Sequence, residues 1–163
     1  MFRKGDPGSI NPDLPVDEQT ELLPYDRKWE FPRERLKLGV QLGAGAFGRV
    51  LKGEAIRIGA EPVTTVAVKM VRAQGNIMAL KALMSELKIM IHLGSHLNVV
   101  NLLGACTKRV TRGELLVIVE YCRYGNVQNY LIRHRDRFIN QVDGDGQFNP
   151  NLTPEQLSST ATM

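Results

Sequence analysis

The sequence predicts an α+β fold, and three observations carry the prediction. An alternating apolar stretch is turned back on itself by a run of glycines. A β-branched run follows some twenty residues later. A single stretch with helical apolar spacing then leads into two further apolar runs, so the chain order is three strands, one helix and two strands.

Ahead of these elements, residues 1–30 hold Pro7, Pro12, Pro15 and Pro24 among scattered acids. Such a composition is expected to form an extended or flexible arm. From Leu36 the texture changes: residues 36–42 alternate apolar and polar, Gly43 to Gly48 form a glycine-rich turn, and Val50-Leu51 resume the pattern, which reads as a hairpin. Residues 63–71, dense in valine and threonine, read as a third strand. Residues 77–93 place apolar side chains at 80, 83, 84, 87 and 91, and Gly94 ends the run as a helix C-terminus. Residues 99–103 and 115–119 are the remaining strand candidates. Residues 127–138 suit a further helix, and from Asn140 the chain returns to Gly, Asn, Pro, Ser and Thr.

Composition bounds the function. With 163 residues, 43% hydrophobic and 6% aromatic, the chain can bury one ordinary core. The net charge of +4 comes from cations interleaved with acids, so no basic run points to nucleic acid. Cys106 and Cys122 are too few and too far apart for a disulfide framework or zinc site, and both are expected to be small buried side chains in a reducing compartment. The sequence shows neither a signal peptide nor a run approaching the roughly 20 apolar residues of a membrane span, and reads as a soluble, intracellular chain.

Three motifs constrain one another. Gly43-Ala44-Gly45-Ala46-Phe47-Gly48-Arg49-Val50 fits G-x-G-x-x-G-x-V, which alone also fits a dinucleotide site or a plain turn. A dinucleotide site needs a helix directly after the glycines, and Val50-Leu51-Lys52-Gly53 does not suit one. A strand-turn-strand flap instead brings backbone N–H groups close to phosphate oxygens, with Leu42 and Val50 flanking an aromatic base. Val66-Ala67-Val68-Lys69 then sets a lone lysine in an apolar strand. At about 100° per residue, Lys81, Ser85, Lys88 and His92 share one helix face, while Glu86 lies on the other, beside Ala79, Ala82, Leu83 and Met90. A carboxylate there needs a partner, and pairing with Lys69 resolves both burial problems; breaking a buried pair of this kind costs about 3–5 kcal/mol.

On these residues the sequence resembles the N-terminal lobe of a protein kinase. Within kinases it resembles the receptors for platelet-derived and vascular endothelial growth factors. The residues carrying that likeness are Lys28-Trp29-Glu30-Phe31-Pro32-Arg33, Ala82-Leu83-Met84-Ser85-Glu86-Leu87-Lys88-Ile89, and His96-Leu97-Asn98-Val99-Val100-Asn101-Leu102-Leu103-Gly104-Ala105-Cys106-Thr107. The resemblance implies a five-stranded antiparallel sheet with one regulatory helix, plus the first helix after the hinge. It divides the chain into a juxtamembrane arm (1–30), the lobe (31–119), the hinge and first C-lobe helix (120–139) and the start of a polar, disordered insert (140–163).

It also implies roles. Gly43, Gly45 and Gly48 cover the ATP phosphates, Lys69 holds the α- and β-phosphates, and Glu86 orients Lys69. Ala67 roofs the adenine, Val119 is a small gatekeeper, and the backbone of Glu120, Tyr121 and Cys122 forms the adenine-binding hinge. Tyr25 is a candidate phosphorylation site. The parent protein is expected to use ATP and Mg²⁺, to act on protein tyrosines, to meet a second receptor copy, and to lie on the cytoplasmic side of the plasma membrane through a transmembrane segment not present here.

Two motifs are decoys. His134-Arg135-Asp136 spells the start of H-R-D-x-x-x-x-N, yet Gln141 stands at the Asn position and no D-F-G follows. Asp143-Gly144-Asp145-Gly146 hints at a calcium loop, but Phe148 replaces the required Gly and Pro154 the required Glu. No metal site is therefore expected, and the 163 residues are expected to bind nucleotide without transferring phosphate. A truncated, non-catalytic module that binds nucleotide or a full-length receptor is the alternative reading.

Overall fold

A computed structural model describes residues 5–46, 48–72, 76–137, 139–142 and 145–151. The chain divides into two units, residues 1–121 and 122–163. In the first, β1 (Leu36–Ala44), β2 (Gly48–Ile56), β3 (Val63–Val71), β4 (Leu102–Cys106) and β5 (Leu116–Glu120) form one sheet in the order β1-β2-β3-β5-β4, every neighbouring pair antiparallel. Helix α1 (Ile77–Leu93) joins β3 to β4. This is the five-stranded sheet with one helix that the sequence predicts.

Register sets the two faces of the sheet. Lys52, Ala67 and Val119 stand opposite one another across β2, β3 and β5, as do Val50, Lys69 and Val117. Opposed residues project to the same side, so these six share a face. The alternate row of Leu51, Val68 and Ile118 projects to the other side. A core therefore lies on each face: Leu36, Ala55, Val66, Val68, Leu116 and Ile118 with Phe31 on one, and Val117 and Ala105 with Leu83 and Leu87 of α1 on the other.

Helix α1 begins at Asn76, whose Oδ1 accepts from Ala79 N at 3.0 Å, and ends at Gly94, whose φ of 70° lies in the glycine-favouring region. Ala79, Leu83 and Leu87 form its buried stripe. Two helix positions differ from expectation. Ala82 is exposed, and Lys88, expected on the solvated face, is only 7% exposed.

The reason for the buried lysine lies at the N-terminus, where the structure corrects the flexible-arm reading. A 3-10 turn at Val16–Gln19 packs on α1. Gln19 Nε2 donates to the carbonyls of Asn11 and Leu14 at 2.9 and 3.0 Å, closing that loop, and Leu23 is fully buried. Thr20 Oγ1 lies 3.1 Å from Ser85 Oγ, and Lys88 Nζ donates to the Thr20 carbonyl at 3.0 Å. Burial lowers the Lys88 pKa, against the opposing pull of Glu21. Further on, Glu30 accepts from Thr107 N and Oγ1, and Phe31 N donates to Ala105 O at 2.7 Å. A segment too poor in apolar residues for its own core needs only a few when an existing helix and strand supply the other surface.

Strand β4 also differs: it runs Leu102–Cys106, three residues beyond the predicted 99–103. The β-branched Val99 and Val100 sit exposed beside a turn. The ladder instead uses small residues, and a Cβ on Gly104 would come within 3.2 Å of Phe31 Cβ. Strand β5 begins one residue later than predicted, at Leu116.

In the second unit, α2 (Val127–Arg133) is capped by Asn126, whose Oδ1 accepts from Asn129 N at 3.2 Å. A 3-10 turn, Arg135–Arg137, follows, so the predicted helix ends early. The region from residue 140, expected to be disordered, contains an antiparallel bridge between Val142 and Phe148 and a bond from Asn149 N to Gln141 O. Asp143, Gly144 and residues 152–163 lie outside the described residues.

Candidate nucleotide site

Lys69 projects from β3 toward α1, and its Nζ donates to Glu86 Oε1 and Oε2 at 2.6 and 2.5 Å. The predicted pairing is thus made. Its setting is wetter than predicted, since the two side chains remain 39% and 41% exposed. Glu86 sits at the margin of the α1 stripe rather than within it. The pair costs little desolvation and leaves its ammonium accessible to an anion approaching along the sheet face.

That face also carries Val50, Ala67 and Val119, beside the flap made by β1 and β2. Strand β2 runs Gly48–Ile56, so no helix follows the glycines and a dinucleotide-binding arrangement is excluded. The register explains the shape of β1. Leu38 opposes Gly53, but Gly43 opposes Val50, so β1 uses five steps where β2 uses three. Two extra residues in β1 are taken up as bulges, which interrupt its alternation. Val40 and Leu42 consequently stand 69% and 45% exposed, while Val50 is half-buried.

The flap glycines divide by what a side chain would meet. A Cβ on Gly48 would come within 3.1 Å of the Met70 carbonyl, so close strand packing accounts for it. At Gly43 and Gly45 an added Cβ would meet nothing within 4 Å, and neither has the positive φ that favours glycine. Among the described residues, packing gives no reason for glycine at these two positions. An open glycine backbone leaves its N–H groups approachable by an external group.

At the hinge strand, Ala67 is buried and Val119 is half-buried against the α1-side core. Glu120 N donates to Asn101 O at 3.1 Å, while Glu120 Oε2 accepts from Asn101 N and Nδ2 at 2.9 and 3.1 Å. The Glu120 N–H is thus committed within the chain. Asn101 Oδ1 in turn accepts from His96 N at 2.9 Å. Sequence reasoning missed Asn101; its polar side chain inside the run Val99–Leu103 was the available signal. Tyr121 is half-buried beneath Lys52, whose Nζ lies 5.1 Å from the ring centroid. Cys122 belongs to the second unit and is exposed, which corrects the expectation that both cysteines are buried; Cys106 is the buried one.

Tyr25 lies apart from these groups. Its hydroxyl donates to Glu30 Oε2 at 3.0 Å, and burial raises its pKa. His134 stacks on Tyr130 at 4.2 Å between centroids, and Arg135 and Asp136 point into solvent. That is an exposed helix end, as the decoy reading expects.

A paired lysine beside a glycine flap and a hinge strand defines a kinase-type nucleotide lobe. The profile of the protein tyrosine and serine/threonine kinase family matches residues 36–162, and the chain belongs to that family. It is 54% identical over 151 residues to vascular endothelial growth factor receptor 1 of Mus musculus, covering 91% of this chain and 11% of the receptor. To the Homo sapiens receptor of the same name it is 58% identical over 137 residues, 82% of the chain and 10% of the receptor. To the kdr-like receptor of Danio rerio it is 54% identical over 136 residues, again 82% and 10%. The resemblance to growth factor receptor tyrosine kinases is upheld, and the chain spans about a tenth of the length of the curated relatives it matches. No helix among the described residues is long and apolar enough to cross a membrane.

Proposed function

We propose that the chain is the ATP-binding lobe of a receptor protein-tyrosine kinase, a protein that moves the γ-phosphoryl group of ATP to tyrosines of protein substrates. The observation that carries this reading is the Lys69–Glu86 pair, set on the same sheet face as Val50 and Ala67 beside two glycines that packing among the described residues does not require.

In this reading Gly43 and Gly45 admit the phosphates to backbone N–H groups, and Lys69 meets the α- and β-phosphates while Glu86 fixes its position. Leu42, Val50 and Ala67 cover the adenine, Val119 closes its inner edge, and the hinge backbone from Glu120 to Cys122 supplies the polar contacts. Glu120 contributes through its carbonyl, because its N–H is held by Asn101. Mg²⁺, when bound in a kinase, neutralises charge on the phosphates; its usual Asn and Asp ligands belong to motifs that these 163 residues do not contain. Absence of a base typically forfeits about 10²–10⁴ in rate, so this chain holds nucleotide without turnover. Tyr25 is its phosphorylation site, and modification there requires the hydroxyl to leave Glu30. The whole protein acts at the cytoplasmic face of the plasma membrane and pairs with a second receptor copy.

Titration of the chain with ATP, compared with its Lys69→Met variant, tests the site. Weaker binding by the variant is expected; equal binding would sink the assignment of Lys69.

A further inference from the structure

We infer that Lys52 is a positioning residue that fixes the β2 stem of the flap against Tyr121 of the hinge strand, and so sets the width of the adenine slot. The inference rests on the nucleotide reading above and extends it to a residue that no kinase motif includes.

The geometry follows from register. Lys52, Ala67 and Val119 form one row across β2, β3 and β5, and Tyr121 lies directly after the last residue of β5, two residues beyond Val119. Between β2 and β5 lie two strand spacings, roughly 9–10 Å. The side chain in the middle of the row is Ala67, the smallest that still carries a Cβ, so no bulky side chain of the row separates Lys52 from the hinge end of β5. The Lys52 ammonium arrives 5.1 Å from the Tyr121 ring centroid, within cation–π range. Both side chains are half-buried, so the attraction is only partly screened by water.

The mechanical need for such a contact is equally local. Strand β1 is loosened from β2 by two bulges between Leu38 and Gly43, whereas β2 keeps unbroken register with β3 from Gly48 to Ile56, so the position of the flap is taken from β2. Lys52 lies two residues from Val50, which covers the base in the proposed site. The contact from Lys52 to Tyr121 therefore braces β2, and with it Val50, against the hinge edge of the proposed adenine slot.

Two measurements on the chain test this. In the nucleotide-free protein, the ε-methylene protons of Lys52 should show an upfield ring-current shift by NMR that vanishes in Tyr121→Leu; an unshifted signal overturns the contact itself. In titrations with ATP–Mg²⁺ and with adenosine, Lys52→Met should weaken both about two- to five-fold, the yield of a partly exposed cation–π pair. Lys52→Arg should restore both, and adding Tyr121→Leu to Lys52→Met should cost nothing further. Weakening of ATP with adenosine unchanged would reduce Lys52 to a distant phosphate attractor and overturn the positioning role. If the unaltered chain shows the ring-current shift but binds neither ligand, the nucleotide reading fails and the role falls with it.

Discussion

Lys88 and Thr20 are 68 residues apart in sequence, yet the lysine Nζ donates to the threonine carbonyl at 3.0 Å and is almost wholly buried in doing so. This bond, with the Thr20–Ser85 contact, fastens the N-terminal segment to the outer face of the helix that carries Glu86. Lys88→Ala leaves the carbonyl without its donor and removes the packing of the lysine stem. Loss of about 1–3 kcal/mol of stability is expected. Denaturant unfolding reads that loss, and limited proteolysis should cut residues 11–24 faster in the variant. An unchanged cleavage rate would show that the segment is held by Leu23 and Glu30 without the lysine.

The Lys69–Glu86 pair should separate binding from stability. With both side chains near 40% exposed, its contribution to folding falls in the range of surface pairs, up to about 1 kcal/mol, not the 3–5 kcal/mol expected of a buried one. Glu86→Gln should therefore unfold at nearly the same denaturant midpoint as the parent while binding ATP more weakly. A midpoint shift worth several kcal/mol would mean that the pair closes off from water in solution.

The flap, Lys69 and Glu86 were legible in the sequence because their signals are local: glycine spacing, one lysine in a β-branched run, and a carboxylate at a definable helix angle. The burial of that carboxylate was misjudged, since helix angle alone does not say how far the apolar stripe extends. Lys88 and Asn101 were illegible for a different reason. Each is defined by a partner distant in sequence, Thr20 for one and Glu120 for the other. Strand β4 was misplaced because β-branched residues marked 99–103, whereas the ladder is set by the fit of Gly104 under Phe31. Propensity reports what suits a strand in general; tertiary fit chooses the register.

Cys106 should make the lobe sensitive to alkali. Burial, reinforced by Glu30, pushes its thiol up to about 11 from an ordinary 9.0. The folded state holds this proton more tightly than the unfolded chain does, so the stabilisation is complete below about pH 9 and is lost as pH rises toward 11. At 1.36 kcal/mol per unit the full effect is roughly 2–3 kcal/mol. Unfolding free energy measured across this window should fall more steeply for the parent than for Cys106→Ala. Parallel curves would remove the thiol from the account.

The glycines offer a test that separates ligand from fold. Gly53 is flanked by the Lys37 carbonyl and Val68 Cγ2, each 3.1 Å from where a Cβ would sit. Gly53→Ala should therefore force a shift in the sheet and cost about 1–3 kcal/mol. Gly43→Ala and Gly45→Ala meet no atom of the described residues within 4 Å and need no unusual φ, so stability should hold or rise by up to about 1 kcal/mol as the unfolded chain loses freedom. The same methyl groups would stand where phosphate oxygens approach the backbone. Nucleotide affinity should fall in these two variants while the fold is intact, with adenosine affected less than ATP. Equal losses for both ligands would place the methyl groups against the base and move the phosphates away from Gly43 and Gly45.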